Sequence, residues 1–385
     1  MKKVIANIHH TYLPNDPNGV HRFPVLYGRF DFITLCEKID GSLSGQTKGI
    51  YCFFDRGCRI AKIKNPLFKK MSYGLYKHLR NDFYKKYLLT NKVSLIHAHF
   101  GSVGAEMAAI AKGLDIPIVV TFYGVDVSRF IRQRRWVRQY KRMFELNGRF
   151  IVLCDEAKKR LERVGCPPSK IRVADCPNDL RCFPYMERKP KKNIKILIGA
   201  RFIEKKGYPV LFQSISILIK SGKDVRLTMI GYGSKSQRGL LEENIKELNL
   251  SDRVTIVDTS HGNIDFVKVF KENSGTHDIF IMPSITAKDG DDEGGPSLTL
   301  IDAQAAGMPV IATRFPGSER SVIDGKTGLY CEMNDSISLA EKINYLIENP
   351  DMWNILGRNA SLFVNENFSI EKEAEKLVSI YEELI

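Results

Sequence analysis

The chain has 385 residues, of which 43% are hydrophobic and 26% charged, a composition typical of a folded globular protein with an ample core. This length predicts two domains of about 150–200 residues each. No apolar run reaches the ~18 residues that a membrane-spanning helix needs, and the apolar stretch near Met1 is too short for a secretory signal. The eight cysteines show neither a CxxC pair nor metal-ligand spacing, which predicts reduced thiols in a cytoplasmic protein.

Positive charge is concentrated in the first half. Residues 1–190 carry 35 Lys and Arg against 16 Asp and Glu, whereas residues 191–385 carry 23 against 28. Two clusters interleaved with aromatic residues, 56–86 and 129–142, hold most of the excess. They are interpreted as solvated helix faces, as a surface that rests on anionic lipid headgroups, or as a nucleic-acid site. Because no nucleic-acid motif accompanies the charge, we expect no nucleic-acid partner.

Short apolar runs alternate with helical stretches along the whole chain. Strands are predicted first at residues 4–8, 49–54, 95–97, 118–122 and 150–153, with helices at 103–113 and 156–164. A second series of strands follows at residues 194–198, 226–230, 254–257, 279–282 and 310–312. This alternation predicts the α/β class, with doubly wound parallel sheets in two Rossmann-like domains that face a central cleft.

Residues 182–192 are rich in proline and charge and have no helical or strand period, as expected of a linker. We therefore expect an N-terminal domain over 1–187 and a C-terminal domain over 188–368. Residues 369–385 form an acidic amphipathic pattern, which predicts a helix that packs back towards the N-terminal domain.

Two motifs follow predicted strands of the second series. The first reads Gly199-Ala-Arg-Phe-Ile-Glu-Lys-Lys-Gly207. In it, Arg201 can bond two phosphate oxygens, and Lys206 adds a point charge about one turn later. Such fixed cations stabilise the charge that develops on a departing diphosphate, although a basic surface loop is the alternative. The second motif contains Gly231 and Gly233, which allow a ligand to approach the backbone but also suit an ordinary strand–helix turn.

The third motif, residues 283–313, is the most specific. Its glycine loop runs into a helix predicted to start near Pro296, where the free backbone N–H groups of Gly294, Gly295 and Ser297 form an anion site. Glu293 beside this site is suited to sugar hydroxyls, and Asp302 further along is suited to a ribose. The alternatives are an acidic cap on a buried helix, and a metal site, which lacks EF-hand spacing, made of Asp289, Asp291, Asp292 and Glu293.

These motifs, followed by Gly317-Ser-Glu319 and Asp324-Gly-Lys-Thr-Gly328, resemble the retaining glycosyltransferases of family 4, which have the two-domain GT-B fold. In the first half the resemblance rests on residues 96–101 and 121–128. It implies that Arg201 and Lys206 hold the donor diphosphate, that Glu293 contacts the transferred sugar and that Asp302 binds the ribose. On the acceptor side it places His97, His99, Gly101, Tyr123 and Asp126.

The sequence departs from the family pattern in three places. Eight residues, not seven, separate Glu293 from Asp302, so either the loop bulges by one residue or Gly294 takes the first acidic position. Tyr123 stands where many relatives have histidine, and residues 9–22 replace the usual glycine-rich loop. We also expect the side chains of His97 and His99 to alternate along the end of their strand, so that only one points to the cleft. For each of them, the alternative is a packed structural histidine. His261 is expected near the nucleotide base or in a surface loop.

The resemblance implies a hexosyltransferase-type enzyme with a UDP- or GDP-linked sugar donor and a glycan or lipid-linked acceptor. It would act in the biosynthesis of a cell-surface polysaccharide, such as exopolysaccharide or lipopolysaccharide. We also expect the reaction to retain the anomeric configuration of the sugar and to need no metal or cofactor. The basic first half predicts a cytoplasmic, peripheral location on the anionic inner face of the plasma membrane. The alternative is a non-catalytic protein of the same fold that binds a nucleotide-sugar or a polyanion.

Overall fold

The computed structural model describes residues 2–12, 28–39, 49–53, 66–189, 191–260 and 265–385. By its internal contacts the chain divides into two units. Unit 1 contains Met1–Val152, Lys158–Ala174 and Ala374–Ile385, and unit 2 contains Leu153–Ala157 and Asp175–Glu373. The sequence-based ranges 1–187, 188–368 and 369–385 stay a prediction.

Unit 1 is built on a seven-stranded sheet in which every strand pair is parallel. The spatial order is β3-β2-β1-β4-β5-β6-β7. The strands are β1 (Lys3–Tyr12), β2 (Phe30–Ile39), β3 (Ile50–Cys52), β4 (Val93–His99), β5 (Ile118–Thr121), β6 (Gly148–Val152) and β7 (Ile171–Val173). Strand β5, which lies between β4 and β6, is buried along its whole length, as expected for an apolar, β-branched run in a sheet covered on both faces.

Helices follow the strands of unit 1, as the crossover connections of a parallel sheet require. Up to residue 163 the helices are α1 (Pro66–Thr90), α2 (Gly101–Leu114), α3 (Gly124–Val127), α4 (Arg134–Phe144) and α5 (Asp155–Arg163). The 25-residue helix α1 contains part of the first basic cluster, for which the sequence analysis predicted no element.

Unit 2 is built on a six-stranded parallel sheet in the order β10-β9-β8-β11-β12-β13. Its strands are β8 (Ile194–Gly199), β9 (Val225–Gly231), β10 (Val254–Asp258), β11 (Ile279–Met282), β12 (Val310–Thr313) and β13 (Leu329–Cys331). The helices are α6 (Tyr208–Lys220), α7 (Lys235–Glu247), α8 (Phe266–Ser274), α9 (Leu298–Ala305), α10 (Ser318–Ser321), α11 (Ser336–Glu348) and α12 (Asp351–Asn367). The last helix, α13 (Ile370–Glu382), begins in unit 2 and belongs to unit 1 from Ala374 onwards. Apolar residues lie on both faces of this sheet and form two buried clusters.

The predicted fold class is confirmed, since both units are parallel α/β sheets. All ten predicted strands exist, with ends that differ by up to four residues, and β11 has the predicted bounds. The strands β2, β7 and β13 were not predicted. Two of them have only three residues, too few to show a period, and β2 ends in a charged segment, Glu37-Lys38, which obscures its apolar pattern.

Among the described residues, no helix is both long and apolar enough to cross a bilayer. The seven cysteines of the described ranges are all free thiols.

Candidate active site

The turn after β8 carries Lys205 and Lys206, whose side chains contact the loop that follows β11. Glu204–Lys206 forms a single 3-10 turn, and Gly207 ends it with a φ of 67°. A Cβ on Gly207 would overlap the carbonyl oxygen of Pro283, so both the space and the backbone angle require glycine here. This close backbone approach holds Lys206 against the segment that carries Glu293.

Lys206 and Glu293 form a buried ion pair. The Lys206 Nζ lies 2.6 Å from Glu293 Oε1, and the Ser284 hydroxyl donates to the same oxygen at 2.9 Å. Burial alone would raise the pKa of Glu293, but the positive charge of Lys206, followed by that of Lys205, lowers it to about 2. Burial lowers the pKa of Lys206, and the carboxylate opposes that shift. Both residues were candidates from the sequence motifs, and in the structure they are in contact.

The neighbouring lysine holds the acidic loop in place. Lys205 Nζ lies 3.2 Å from Asp291 Oδ1 and donates to the Asp292 carbonyl oxygen at 2.8 Å. The Asp289 carboxylate accepts from the Asp291 backbone N–H at 3.0 Å. The alternative metal site in this loop gains no support, because within the described ranges the grouped metal-type ligands lie in unit 1, at His10, Glu37 and Glu106.

Arg201 lies two residues beyond β8 and is exposed. We find no hydrogen bond or ion pair between its guanidinium and any other described residue. Its charge contributes to lowering the pKa of Lys206, after burial and Lys205. The guanidinium is therefore accessible to an anion from solvent, next to the buried Lys206–Glu293 pair.

The predicted glycines lie where other backbone or side chains come close. A Cβ on Gly231 would overlap the Ala200 carbonyl oxygen, and one on Gly295 would overlap the Leu153 side chain. The Gly233 N–H donates to the Ser260 hydroxyl at 3.2 Å, and the Gly294 carbonyl oxygen accepts from the Cys154 thiol at 3.6 Å. Packing therefore explains part of the glycine pattern without any ligand.

Helix α9 begins after Pro296 and Ser297. Ser297 is the N-cap residue, and its side chain makes no capping hydrogen bond. The first N–H groups of the helix therefore have no side-chain acceptor at the cap. A bound anion could accept hydrogen bonds from them.

Asp302 has a hydrogen-bond partner of its own, which is not one of the partners of Glu293. Asp302 is buried in α9, and its Oδ1 accepts from the Asn178 side-chain amide at 2.5 Å. Asn178 was not found from the sequence because 124 residues separate the two positions. One oxygen of the predicted ribose-binding carboxylate is thus fixed by a neighbour in its own unit.

In unit 1, the expectation that His97 and His99 alternate is wrong. Side chains of a strand alternate with a period of two, so residues two apart lie on the same face. The two imidazole rings stack, with centroids 4.3 Å apart, and the His9 ring from β1 stacks on His99 at 4.4 Å. We call His9, His99 and His97 the histidine row.

His97 is the buried end of this row. Its Nδ1 lies 2.6 Å from the Tyr381 hydroxyl and its Nε2 lies 2.8 Å from the Thr121 hydroxyl. Burial, with a smaller contribution from His9, lowers the pKa of His97 to about 3. His97 is therefore a neutral packed histidine. His99 Nδ1 lies 3.0 Å from the Tyr123 hydroxyl, so the tyrosine that replaces the family histidine contacts the row.

Asp126 and Gly101 support the chain next to the row. Asp126 is fully buried and accepts from the Tyr123 backbone N–H at 3.1 Å and the Tyr140 hydroxyl at 3.4 Å. Burial raises the pKa of Asp126 to about 6, although backbone N–H groups of Tyr123, Gly101 and Ser102 oppose the shift. A Cβ on Gly101 would overlap the Phe122 ring. Both residues therefore have structural reasons to be present.

The buried His97 predicts a specific loss of stability in mild acid. Its pKa is about 3 when folded against an ordinary value of 6.5, so the unfolded chain binds a proton first. The free energy of unfolding should then fall as the pH falls from about 6.5 towards 3, by up to about 1.4 kcal/mol per pH unit from this residue. Urea unfolding at several pH values measures this slope. His97→Gln should flatten it, and the exposed His78→Gln should not; an unchanged slope in His97→Gln would refute the assignment.

A polar cluster that the sequence analysis missed lies on the other face of the same sheet. It consists of His10, Glu37, Tyr76, Arg80 and Glu106, contributed by β1, β2, α1 and α2. Arg80 belongs to the first basic cluster, residues 56–86, which was interpreted as an exposed surface. For Arg80 that interpretation is wrong, because its side chain is 5% exposed and pairs with two carboxylates. The only sequence signal was a charged pair at the end of an apolar run, at residues 37–38.

The second basic cluster does form an exposed surface. Phe130 and Trp136 stack at 4.9 Å, and Arg135 lies over the Trp136 ring. Six cations of the same segment, residues 132–142, are exposed and make no ion pair with any described acidic residue. We call this set the basic surface: Arg132, Arg134, Arg135, Arg138, Lys141 and Arg142. Of the other predictions, residues 13–22 of the loop after β1, Arg56, Lys62, Lys64 and His261 lie outside the described residues.

Two family models match successive parts of the chain. Residues 29–181 match the family model described as Glycosyltransferase Family 4, and residues 185–363 match the model described as Glycosyl transferases group 1. The chain therefore belongs to the glycosyltransferases that combine these two domains.

Curated relatives include proteins of bacterial polysaccharide biosynthesis. WcaL of Salmonella typhimurium, named as a candidate colanic acid biosynthesis glycosyltransferase, is 31% identical over 251 residues, which are 64% of this chain and 59% of that protein. The amylovoran biosynthesis glycosyltransferase AmsK of Erwinia amylovora is 30% identical over 245 residues, 63% of this chain and 58% of AmsK. The matches thus span less than two thirds of these relatives' length.

Solved structures show the same fold at low identity. Sucrose-phosphate synthase from Thermosynechococcus elongatus superposes with a TM-score of 0.78 at 19% identity, over 100% of this chain and 99% of that one. The Anabaena protein HepE, solved with UDP and glucose, superposes with a TM-score of 0.76 at 14% identity, over 99% of this chain and 100% of HepE. The fold class of this chain is therefore GT-B.

Proposed function

We propose that this protein is a glycosyltransferase that moves a sugar from a nucleotide-sugar donor to a glycan or lipid-linked acceptor in the biosynthesis of a bacterial cell-surface polysaccharide. The observation that carries the proposal is the arrangement in unit 2, where the buried Lys206–Glu293 pair lies beside the exposed Arg201. Family membership and the polysaccharide relatives support the same reaction class.

The donor diphosphate binds at Arg201 and Lys206, with the start of α9 at Ser297 as a further N–H donor. Arg201 is accessible to solvent and can bond two phosphate oxygens. Lys206 is held by Glu293, and as the sugar–phosphate bond breaks, the leaving diphosphate adds negative charge that the lysine stabilises. HepE, which shares the fold, was solved with UDP and with UDP-glucose, which favours a uridine-linked donor here.

Transfer proceeds with retention of configuration and without a metal ion or other cofactor. The acceptor hydroxyl attacks the anomeric carbon on the face that the diphosphate leaves, the carbon–oxygen bond to phosphate breaks, and a diphosphate oxygen takes the acceptor proton. Arg201 and Lys206 supply the positive charge that a divalent ion supplies elsewhere. Glu293 contacts the transferred sugar, and Asp302, fixed by Asn178, contacts the ribose.

A thermal-shift panel of UDP-, GDP-, ADP- and CMP-sugars tests donor binding. We expect one nucleotide class to raise the melting temperature of wild type, and EDTA to leave that shift unchanged. Lys206→Met should lose the shift for the same nucleotide. If no nucleotide-sugar gives a shift that depends on Lys206, the donor assignment is wrong.

The basic surface of unit 1 binds anionic lipid headgroups and keeps the enzyme on the inner face of the plasma membrane. Its six cations lack acidic partners among the described residues, and the Phe130–Trp136 stack provides the aromatic contact favoured at membrane interfaces.

Co-sedimentation with vesicles tests this location. Wild type should bind phosphatidylglycerol vesicles at low salt, and binding should fall at high salt because exposed charges are screened. Changing Arg134, Arg135 and Arg138 together to glutamate should abolish binding, while the same change of charge at the exposed Lys235, Lys246 and Lys268 should preserve most of it. Equal losses in the two triple variants would show that net charge, and not this surface, determines binding.

A further inference from the structure

The polar cluster of unit 1 lies where ligands bind in parallel sheets. His10 and Glu37 are near the carboxyl ends of β1 and β2, which are neighbours in the sheet. Open α/β sheets bind their ligands beyond this edge. The cluster is on the face opposite the histidine row, because His9 and His10 are consecutive residues of one strand.

Four groups, Arg80, Glu37, Glu106 and Tyr76, form a hydrogen-bonded frame within the cluster. Arg80 Nη1 lies 2.6 Å from Glu37 Oε1 and 2.6 Å from Glu106 Oε2, so one guanidinium nitrogen bridges the two carboxylates. The Tyr76 hydroxyl donates to the other Glu37 oxygen at 2.6 Å. Burial would raise the pKa of Glu37, but hydrogen bonds from His10 and Tyr76 lower it to about 2, so this carboxyl stays ionised.

The open side of the cluster has unused hydrogen-bonding capacity. The His10 side chain is 42% exposed, and its Nδ1 lies 3.3 Å from Glu37 Oε1. Its Nε2 lies 3.9 Å from Glu106 Oε2, too far for a direct hydrogen bond. Glu106 Oε1 makes no hydrogen bond to any described residue, and this side chain is 24% exposed. An oxygen between His10 and Glu106 can therefore bond to both.

The charges of the frame select the kind of ligand. An anion would meet the carboxylates of Glu37 and Glu106. A metal ion would meet the Arg80 guanidinium, which already occupies the position between the two carboxylates. A hydroxyl group fits both neighbours, because it can bond to the imidazole while it donates to a carboxylate oxygen. A compound with several adjacent hydroxyl groups and no charge fits best.

We propose that His10 and Glu106 form a subsite for hydroxyl groups of an uncharged sugar unit of the acceptor, with Glu37 and Arg80 as positioning residues. This inference rests on the proposed function, since it assigns the sugar to the acceptor. Saturation-transfer NMR tests it directly, with methyl β-galactoside, methyl α-glucoside and methyl α-fucoside as probes and glucuronate and glucosamine as charged comparators. The full chain is used, with UDP present to occupy the donor site.

We expect the neutral glycosides to give signals with wild type, and the charged sugars to give much weaker ones. His10→Ala and Glu106→Gln should each weaken glycoside binding by about tenfold or more, as expected for the loss of a hydrogen bond to a charged group. His78→Ala, which removes an exposed histidine of α1, is the matched control and should bind as wild type does. Thermal melting of each variant checks that it is folded.

Equal glycoside signals in wild type and the two variants, or no signal in wild type, would overturn the subsite. Zinc binding that disappears in His10→Ala, without glycoside binding, would show instead that the cluster is a metal site. Failure of the proposed function is seen separately, as a wild-type protein that releases no nucleotide from any sugar donor while it still binds the glycosides.

Discussion

Replacing Lys206 with methionine is expected to lower the rate of sugar transfer by about 10²- to 10³-fold, the effect of removing one group that stabilises developing charge. Methionine keeps most of the packing volume of the lysine stem but removes the ammonium that lies 2.6 Å from Glu293. Nucleotide release in the presence of acceptor measures the rate.

The same change should also destabilise unit 2. Breaking a buried ion pair leaves an uncompensated charge and costs about 3–5 kcal/mol. Loss of the lysine should raise the pKa of Glu293 from about 2, so the variant should lose less stability in acid than wild type does between pH 4.5 and 2. Chemical unfolding measures both effects.

Two further variants separate activity from folding. In Lys206→Met with Glu293→Gln, both charges are absent, so the fold should recover stability while transfer stays lost. Lys205→Met removes a lysine that is also buried and paired. This variant should have a clearly lower free energy of unfolding but only a slightly lower rate of transfer. Near-normal turnover in Lys206→Met, or recovery of turnover in the double variant, would contradict the role of Lys206.

Replacing Arg201 with alanine is expected to lower transfer by about 10²-fold without a change in stability. The side chain is exposed and makes no hydrogen bond or ion pair with another described residue, so its removal takes no such bond from the folded protein. Arg201→Lys should restore only part of the rate, because an ammonium cannot bond two phosphate oxygens in the planar geometry of a guanidinium. Turnover and the melting temperature measure the two effects together.

Arg226→Ala is the matched control, since Arg226 is an exposed arginine of the same unit whose guanidinium donates to the Asp252 carbonyl oxygen. Its turnover should equal that of wild type. If Arg201→Ala retains the wild-type rate, Arg201 does not bind the donor diphosphate.

The sequence predicted five of the six strands of unit 2 because they are largely apolar runs of four to seven residues. It selected Lys206 and Glu293 because their motifs carry chemistry. It could not predict that the two form one ion pair, since 87 residues separate them. The same holds for His97 and Tyr381, which are 284 residues apart. Such partners are determined by how distant elements pack, and local patterns do not contain that information.

Charge was the feature that the sequence described least accurately. A cluster of basic residues gives the sum of the charges but not their exposure. Arg80 came from the same pattern as exposed lysines, yet it is buried between Glu37 and Glu106, whose positions in the sequence gave no sign of pairing. By contrast, α4 follows the amphipathic pattern of a surface helix, and its arginines are exposed as that pattern implies.

The central claim is that unit 2 binds a nucleotide-sugar and that the protein transfers its sugar. The most direct test is to incubate the purified full chain with UDP-sugars and a polysaccharide-derived glycan or lipid-linked acceptor, and to follow free UDP together with the anomeric proton signal of the product by NMR. We expect acceptor-dependent UDP release and a product with the anomeric configuration of the donor. Binding of the nucleotide-sugar without release, whatever the acceptor, would show a binding protein instead, and a product of inverted configuration would contradict the mechanism.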